Sequence, residues 1–351
     1  MRALTVVPGK PGSLHCEELP APETPPPGEL LVRGLALGVC GTDREIAGGD
    51  YGWAPSGRDR LVIGHESLGR VEAAPAGGGF SPGDLVCGVV RRPDPEPCPA
   101  CARGEFDMCR NGRYSERGIK ELDGYGSSYW TVPAEYAVRL PEELADGLLG
   151  VLAEPASVVA KAWEQVDRIG ARSVFEPRRA LVVGAGPIGL LAALLGVRRG
   201  LEVHVLDLAT DGPKPRLVRE LGAVYHTGPL AEVGDRLRPD VVVEATGVGE
   251  LVFTAMSVTA DYGIVCLTGV SPSGRPLPLD AGGLNREIVL ANDVVVGSVN
   301  ANQRHYEAAV EALAEADREW LAGLITRRLP AERCAEAFAK RPDDIKTVIE
   351  L

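Results

Sequence analysis

Thiol, imidazole and carboxylate side chains follow apolar segments in three separate parts of the chain. Cys40 lies in GVCGTDREI, His65 and Glu66 lie in VIGHESLG, and Glu154 lies in LAEPAS. This mixture of ligands suits zinc with one coordination position left open, and an open position is typical of a catalytic ion. Such an ion would polarise a substrate hydroxyl and lower its pKa, which favours the departure of a hydride. The alternative is a set of unconnected structural residues.

Two polar residues beside Cys40 are expected to assist this chemistry. Asp43 is placed to hold the second ring nitrogen of His65, because metal-bound histidines usually have such a partner. Thr42 is placed to carry the released proton outward. Together with Glu66, these two residues form the predicted catalytic set.

A second metal site is predicted in the segment CPACARGEFDMC. It contains Cys98, Cys101 and Cys109, and this spacing in a loop rich in proline and charge is typical of a structural zinc site. Three thiolates leave one ligand missing, and Asp94 and Glu96 are the nearby carboxylates that would complete a tetrahedron. The alternative is three free thiols in a loop without metal.

A glycine-rich turn predicts a dinucleotide site. An apolar strand at 180–183 is followed by Gly184, Gly186 and Gly189, and then by a helical pattern that includes Pro187 and Ile188. The first glycine allows a tight turn, the second lets the backbone approach a pyrophosphate, and the third lets the helix pack on the strand. Unpaired N–H groups at the start of the helix would bind the phosphates.

The end of the next predicted strand carries Asp207, eighteen residues beyond Gly189. A carboxylate there would accept hydrogen bonds from both ribose hydroxyls of the adenosine, and it would repel a 2′-phosphate. The sequence therefore predicts a preference for NAD. NADP stays possible, because Lys214 and Arg216 lie a few residues further on.

These residues must be positioned by two kinds of structure. The first 150 residues contain short extended segments divided by proline and glycine, which indicates an irregular β-rich domain. From about 151, β-branched runs alternate with helix-length stretches, as in a doubly wound parallel sheet. After 300, the helical segment RHYEAAVEALAEA leads to KTVIEL, which could return to the first domain as a strand. The predicted domains are 1–158, 159–299 and 300–351.

The composition narrows the class of protein and its partners. The chain has 351 residues, 45% of them hydrophobic, and a net charge of −12, which disfavours nucleic acid or an anionic membrane as the main partner. It shows no signal peptide and no run of 18 apolar residues, so we expect a cytoplasmic protein that binds a small molecule. Four isolated cysteines are interpreted as small buried hydrophobic residues, namely Cys16, Cys87, Cys266 and Cys334.

The segments GVCGTDREI, VIGHESLG, VVRRP with the cysteine cluster, VVGAGPIG and VGSVN resemble the zinc-dependent medium-chain dehydrogenase family, closest to its glucose dehydrogenase branch. The resemblance runs essentially from end to end. It implies an α/β protein with a β-rich GroES-like catalytic domain and a Rossmann domain, in which hydride passes between an alcohol carbon and a nicotinamide. It also implies catalytic zinc ligands at Cys40, His65 and either Glu66 or Glu154, with Thr42 in the proton relay.

Further residues acquire roles only through this resemblance. Glu116 and Asn300 match positions that contact substrate hydroxyls or the nicotinamide ribose, and a homodimer or homotetramer is implied. The positions that match the part of the family fold wrapped around the cofactor are Thr246, Gly247, Thr268 and Val270.

The chain also departs from the family pattern. Pro95 stands where a fourth cysteine of the structural zinc site is expected. Val90 and Val158 are apolar at positions expected to face the substrate, which weighs against glucose itself. The leading hypothesis is a zinc-dependent and NAD-dependent dehydrogenase of a sugar, polyol or cyclitol. The alternatives are a zinc-free quinone or enoyl reductase of the same fold, and a dinucleotide-binding protein without activity.

Overall fold

Two units make up the part of the chain that the computed structural model describes, residues 1–272 and 276–351. The first unit contains residues 1–157 and 300–351, and the second contains residues 158–299. The first is rich in strands, and the second alternates strands with helices around a parallel sheet. The α/β class predicted from the sequence is confirmed.

Strands and helices are numbered in chain order. Up to residue 170 they are β1 (Arg2–Val6), β2 (His15–Glu18), β3 (Glu29–Val39), α1 (Gly41–Gly48), β4 (Leu61–Val62), β5 (Glu66–Ala73), β6 (Leu85–Gly88), β7 (Arg91–Arg92), β8 (Ser115–Arg117), β9 (Glu121–Leu122), β10 (Tyr129–Pro133), β11 (Ala137–Arg139) and α2 (Ala153–Gly170). From there to residue 297 they are β12 (Arg179–Val183), α3 (Pro187–Arg198), β13 (Glu202–Leu206), α4 (Pro213–Glu220), β14 (Val224–His226), α5 (Leu230–Leu237), β15 (Val241–Glu244), α6 (Gly249–Ala255), β16 (Ile264–Leu267), α7 (Ala281–Ala291) and β17 (Val294–Gly297). The remaining elements are α8 (Gln303–Ala314), α9 (Arg318–Leu324), β18 (Ile325–Pro330), α10 (Cys334–Phe338) and β19 (Lys346–Glu350).

The main sheet of the first unit is organised around β3. It has the order β11-β6-β5-β3-β19-β18, and β10 also pairs with β3. Residues of β3 alternate between buried and less buried positions before becoming fully buried at its end, so the strand contributes to the core from one face and then from both. The C-terminal segment KTVIEL forms β19, antiparallel to β3, as the sequence predicts.

Two local features of the first unit differ from the sequence-based expectation. Residues 41–48 form α1, although no helical period is visible there, because only Asp43 and Ile46 of this short polar helix are buried. The segment 61–74 is not one strand but β4 and β5, interrupted at Gly64, whose φ of 100° belongs to the left-handed region. A Cβ at Gly64 would also lie 2.4 Å from a side-chain carbon of Leu37, so only glycine fits this break.

The second unit is built on a parallel six-stranded sheet with the order β14-β13-β12-β15-β16-β17. This is the 3-2-1-4-5-6 order of a dinucleotide-binding fold. Apart from Arg179 and Glu244 at their ends, the strands β12 and β15 are apolar and buried, because helices cover both faces of such a sheet. The polar residues predicted to bind a cofactor therefore follow the carboxyl ends of these strands.

The four isolated cysteines are not equally buried. Cys87, Cys266 and Cys334 are buried as expected, whereas Cys16 is only half-buried, because it lies on β2, a strand that leaves all of its residues at least partly exposed. Among the residues that the structure describes, no helix has both the length and the apolar character needed to cross a membrane.

Candidate zinc sites and dinucleotide-binding loop

The structure brings together three of the predicted ligands of the catalytic metal. The Sγ atom of Cys40 lies 3.1 Å from Nε2 of His65, and a carboxylate oxygen of Glu66 lies within 4.8 Å of both donors. Tetrahedral zinc with ordinary Zn–S and Zn–N bonds separates these two atoms by about 3.5 Å. The thiol and the imidazole are therefore close to the spacing that zinc requires.

Local structure aims these side chains at one point. Cys40 is the N-cap residue of α1, so its position is fixed by the junction between β3 and this helix. The break at Gly64 between β4 and β5 turns His65 inward, where it is buried. Asp43 is fully buried in the first turn of α1 and accepts a hydrogen bond from the backbone N–H of Cys40 at 2.9 Å.

Asp43 also stands behind the imidazole, as predicted. Its Oδ1 atom lies 3.2 Å from Nδ1 of His65, on the ring side opposite the thiol. Burial disfavours charge on both side chains, but their proximity raises the pKa of His65 well above its usual value and lowers that of Asp43. The carboxylate fixes the orientation of the ring and leaves Nε2 directed toward Cys40. This arrangement is the one expected behind a metal-bound histidine.

Glu66 and Glu154 occupy different electrostatic environments. Both carboxylate oxygens of Glu66 bind Nζ of the buried Lys346, at 2.5 and 2.6 Å. Desolvation and the charge of Glu66 raise the pKa of Glu154 to about 7, while His65 and Lys346 oppose the shift. Glu154 is not in the group of donors within 4.8 Å of one another. The structure thus places Glu66 nearer the two other donors, but already paired with a cation.

Sequence reasoning missed Lys346. Its signal was a lysine in the C-terminal segment KTVIEL, on a strand whose first four residues are buried. A buried lysine requires an anionic partner, but the sequence does not say which carboxylate supplies it. Thr42, in the first turn of α1, is half-buried and lies two residues from Cys40 in the chain, and its role in a proton relay stays a prediction.

The three cysteines of the second cluster also converge. Their sulfur atoms lie within 4.8 Å of one another. Cys98 precedes a short turn at 101–103 that Cys101 begins, and Cys109 directly follows a second turn at 106–108. Backbone N–H groups of Arg110 and Cys101 point at the Cys98 sulfur and lower the pKa of Cys98 to about 6, while burial raises that of Cys101 to about 11. Three sulfur atoms close to one another, one of which accepts from two backbone N–H groups, could bind a structural zinc ion.

Neither acid proposed as the fourth ligand reaches these sulfur atoms. Asp94 accepts a hydrogen bond from the backbone N–H of Glu96 and contacts Arg113 at 3.3 Å, and Glu96 pairs with Arg113 at 2.8 Å. Neither carboxylate belongs to the donor group formed by the three thiols. Arg113 pairs with both acids, and among the residues that the structure describes the donor group consists of the three thiols.

Glu116 and Asn300, predicted to bear on the substrate, are in direct contact. Nδ2 of Asn300 donates to Oε1 of Glu116 at 2.7 Å, and Arg91 donates to the same oxygen from Nη2 at 3.0 Å. Asn300 has a φ of 62°, a left-handed conformation that asparagine tolerates better than most residues. Sequence reasoning did not single out Arg91, although it lies in the VVRRP segment that supports the family resemblance.

Val90, next to Arg91, is buried in the hydrophobic core of the first unit. Its apolar side chain thus has a structural reason, and it carries no argument against a sugar substrate. Val158 is half-buried at the start of the second unit.

The glycine-rich turn has the geometry that its sequence predicts. Gly184 has a φ of 102°, and a Cβ at Gly189 would lie 1.8 Å from the carbonyl oxygen of Gly184, so helix and strand approach closely. A Cβ at Gly186 would meet no atom within 4 Å, which leaves space in front of the first turn of α3. Pro187 and Ile188 open this helix, where proline loses no hydrogen bond. The turn fits a dinucleotide pyrophosphate.

Asp207 directly follows β13 and faces this turn. Its carboxylate accepts hydrogen bonds from the backbone N–H of Ala185 at 2.6 Å and of Leu208 at 2.8 Å. Lys214 Nζ lies 3.1 Å from Oδ1. Burial opposes ionisation, but these donors lower the pKa of Asp207. The carboxylate is therefore charged, although the cation that the sequence identified as a possible modifier is already bound to it.

The remaining cofactor candidates follow β15 and β16. Glu244, which ends β15, accepts hydrogen bonds from the backbone N–H groups of Thr246 and Gly247. The hydroxyl of Thr268 donates to the Glu244 carbonyl at 2.8 Å. Val270 is largely exposed. These residues lie at the carboxyl ends of neighbouring parallel strands, where open α/β sheets bind ligands.

Two protein-family models match this chain. The model for "Glucose dehydrogenase C-terminus" matches residues 147–351, and the model for "Alcohol dehydrogenase GroES-like domain" matches residues 26–142. A glucose 1-dehydrogenase of Methanocella arvoryzae is 40% identical over all of this chain and 99% of its own length. The glucose 1-dehydrogenase of Thermoproteus tenax is 43% identical with the same coverage.

Solved structures agree with the sequence comparisons. Glucose dehydrogenase from Haloferax mediterranei, in complex with NADP, Zn and gluconolactone, superposes with a TM-score of 0.91. It is 36% identical, and the superposition covers all of this chain and 99% of that one.

Proposed function

Because this chain belongs to the zinc-dependent medium-chain dehydrogenase family, in its glucose dehydrogenase branch, we propose that it oxidises the C1 hydroxyl of an aldose such as glucose to a lactone and transfers the hydride to a nicotinamide dinucleotide. The observation that carries the proposal is the approach of Cys40 Sγ to His65 Nε2, at 3.1 Å, beside the buried carboxylate of Glu66. The choice of substrate class is supported by relatives that are named glucose 1-dehydrogenase and that align with the whole of this chain.

The residues of the first unit have distinct roles in this proposal. Cys40, His65 and one of the two glutamates would hold zinc, which supplies electrophilic polarisation of the substrate hydroxyl when bound. Asp43 holds the imidazole in place through Nδ1. The hydroxyl of Thr42 moves the proton released from the substrate toward solvent. A hydride leaves C1, the carbon that bears the reacting hydroxyl. Oxidation therefore removes two electrons and two hydrogens from the substrate.

The second unit would bind the cofactor. The Gly184 turn and the start of α3 bind the pyrophosphate, and Asp207 binds the adenosine ribose. We propose that NAD is preferred, because the charged Asp207 would repel a 2′-phosphate. Lys214 neutralises part of that charge, so NADP is expected to be a slower cofactor rather than an excluded one. The Haloferax relative was solved in complex with NADP, which supports keeping NADP as the second cofactor.

A metal-removal experiment tests the proposed chemistry. The protein is treated with a chelator, and NADH formation is followed on a panel of aldoses, cyclitols and secondary alcohols before and after zinc is restored. We expect turnover on an aldose that disappears with the metal and returns with zinc. Undiminished turnover in the metal-free protein would refute the proposal. Cys40→Ser should also abolish turnover and leave NAD binding intact, because the ligand lies in the other unit.

A homo-oligomer in the cytoplasm completes the proposal. Strand β17 is an edge of the parallel sheet and carries three half-buried valines, and Val289 and Leu290 on the preceding helix are exposed. An apolar sheet edge of this kind favours pairing with a second copy. All eight cysteines are free, which suits a reducing compartment. Light scattering coupled to size exclusion would measure the oligomeric state, and a monomeric mass would contradict the expected homo-oligomer.

A further inference from the structure

We propose that Tyr51 and Trp53 form an aromatic wall that binds the C–H face of a pyranose sugar beside Glu116. This inference rests on the proposed function, because it concerns how the same site holds its sugar. It adds two residues to which neither the sequence nor the comparisons assign a role.

The side chains of Tyr51 and Trp53 are exposed to solvent, which is unusual for large hydrophobic residues of the first unit. In the first unit, all of whose residues the structure describes, the large hydrophobic side chains left exposed are those of Tyr51, Trp53 and Met108. Tyr51 is 41% exposed and Trp53 is 46% exposed. Their ring centroids lie 5.0 Å apart with an interplanar angle of 74°, an edge-to-face contact that holds both rings in place. Two aromatic rings that pack on each other and face solvent suggest a ligand surface rather than core packing.

Backbone pairing places this pair next to Glu116. Trp53 forms a parallel bridge with Lys120, and its N–H and carbonyl bond to Ile119 and Glu121 at 2.9 and 3.0 Å. Glu121 is in turn the register partner of Glu116 in the pairing of β8 with β9. Trp53 therefore lies about two strand spacings, or ~10 Å, from the backbone of Glu116. This separation is close to the width of one sugar ring with its hydroxyls.

Polar and cationic groups lie near the aromatic pair. Arg91 stacks over the ring of Tyr114 at 3.7 Å, and Lys120 lies 4.4 Å from the same ring. Arg91 also binds Glu116, which accepts from Asn300. Burial and the charge of Glu116 raise the pKa of Tyr51, in agreement with their proximity.

This combination of groups selects the chemical class of the ligand. One face of a pyranose ring presents C–H bonds with partial positive charge, which favour the negative face of an aromatic ring. Its edge presents hydroxyls, which require the acceptors and donors that Glu116, Arg91 and Asn300 supply. An acyclic polyol has no rigid C–H face, so the aromatic pair should favour cyclic sugars over polyols of equal length.

Trp53 provides a direct reporter of this contact. The chain has four tryptophans, and the other three are 3%, 1% and 5% exposed, so fluorescence quenching by acrylamide reports mainly on Trp53. The zinc-loaded protein with saturating NAD is titrated with 1,5-anhydro-D-glucitol, which keeps the pyranose ring but lacks the C1 hydroxyl and does not react. We expect this sugar to reduce acrylamide quenching, whereas equimolar sorbitol should not. Quenching unaltered by the cyclic sugar would overturn the inference.

Kinetics with matched variants provide the second measurement. Trp53→Leu should raise the KM for D-glucose about 3- to 10-fold and leave kcat and the KM for NAD nearly unchanged, while Trp53→Phe, which keeps a ring, should stay near the wild type. Unfolding midpoints should not change, since the side chain is exposed. If glucose is oxidised and Trp53→Leu shows wild-type KM, the aromatic wall is refuted and the proposed function stands. If no aldose is oxidised by any form, the proposed function itself fails.

Discussion

Lys346 Nζ lies 2.5 and 2.6 Å from the two carboxylate oxygens of Glu66, although 280 positions separate these residues in the chain. Both side chains are buried, on β19 and β5, which flank β3 in the same sheet. The lysine neutralises the carboxylate next to His65 in the sequence. Burial and the charge of Glu66 raise the pKa of Glu154 to about 7, and the charges of His65 and Lys346 act in the opposite direction.

Removal of the lysine should destabilise the first unit. Lys346→Met leaves Glu66 charged and buried without a partner, and a broken buried ion pair of this kind costs about 3–5 kcal/mol. Urea unfolding followed by fluorescence measures the loss. The control is Glu66→Gln combined with Lys346→Met, which removes both charges and should recover a large part of the stability. Equal stability of wild type and Lys346→Met would contradict the pairing.

Asp43→Asn tests the support of His65. The amide keeps the size of the side chain and can still accept from the Cys40 N–H, but it loses the charge that faces Nδ1. Loss of such a partner typically lowers metal affinity or activity by about 10- to 100-fold. Zinc retained per chain after dialysis against graded chelator concentrations is the measurement. A variant that holds zinc as tightly as the wild type would show that Asp43 serves only to cap α1.

Asp207 should determine the choice between the two dinucleotides. Asp207→Gly, with Leu208→Arg to supply a cation, removes the repulsion of a 2′-phosphate and adds an attraction. The ratio of kcat/KM for NAD to that for NADP should fall about 10-fold or more, since a change of about 1.4 kcal/mol gives a factor of ten. Leu208→Arg alone is the control for the added cation. An unchanged ratio in the double variant would mean that another residue discriminates the ribose.

The paired histidines of the second unit should make it sensitive to acid. Nδ1 of His204 lies 2.9 Å from Nε2 of His226, and burial together with the charge of His204 lowers the pKa of His226. When the pKa of a histidine is lower in the folded protein than in the unfolded chain, the unfolded chain binds the proton more readily. The folded state is therefore destabilised as the pH falls below the pKa of an unfolded-chain histidine, about 6.5.

His226→Gln removes this titration and should reduce the acid-induced loss. The shift of the thermal midpoint between pH 7.5 and pH 5.5 is compared in the two proteins, and we expect a smaller shift in the variant. His15→Gln, which removes an exposed histidine from β2, is the matched control. An identical shift in wild type and His226→Gln would show that the pair does not govern acid stability.

Features encoded in consecutive residues could be predicted from the sequence. The glycines at 184, 186 and 189 determine a turn over six residues, and the C-x2-C segment that contains Cys98 brings its own sulfur atoms together. Strand β19 was also predictable, because KTVIEL is short and contains three consecutive β-branched residues, which favour strands. In each case the local chain alone limits the geometry.

Features that depend on packing between distant segments could not be predicted. Helix α1 has too few buried residues to show a helical hydrophobic period in the sequence, although Cys40 is the N-cap residue of this helix. The partner of Glu66 comes from the last strand, and the sequence left Glu66 and Glu154 as equal alternatives. The exposure of Tyr51 and Trp53 could not be read from the sequence either, because aromatic residues in a β-rich segment are usually buried.

The position of β19 affects the order in which the protein can mature. This strand pairs with β3 within the main sheet and carries Lys346, which neutralises Glu66. Its residues leave the ribosome after every other strand of that sheet, and after the entire second unit. A nascent chain thus holds Cys40 and His65 for most of its synthesis without the completed sheet beneath them. Stable insertion of the metal is consequently expected only after β19 has been synthesised and has paired with β3.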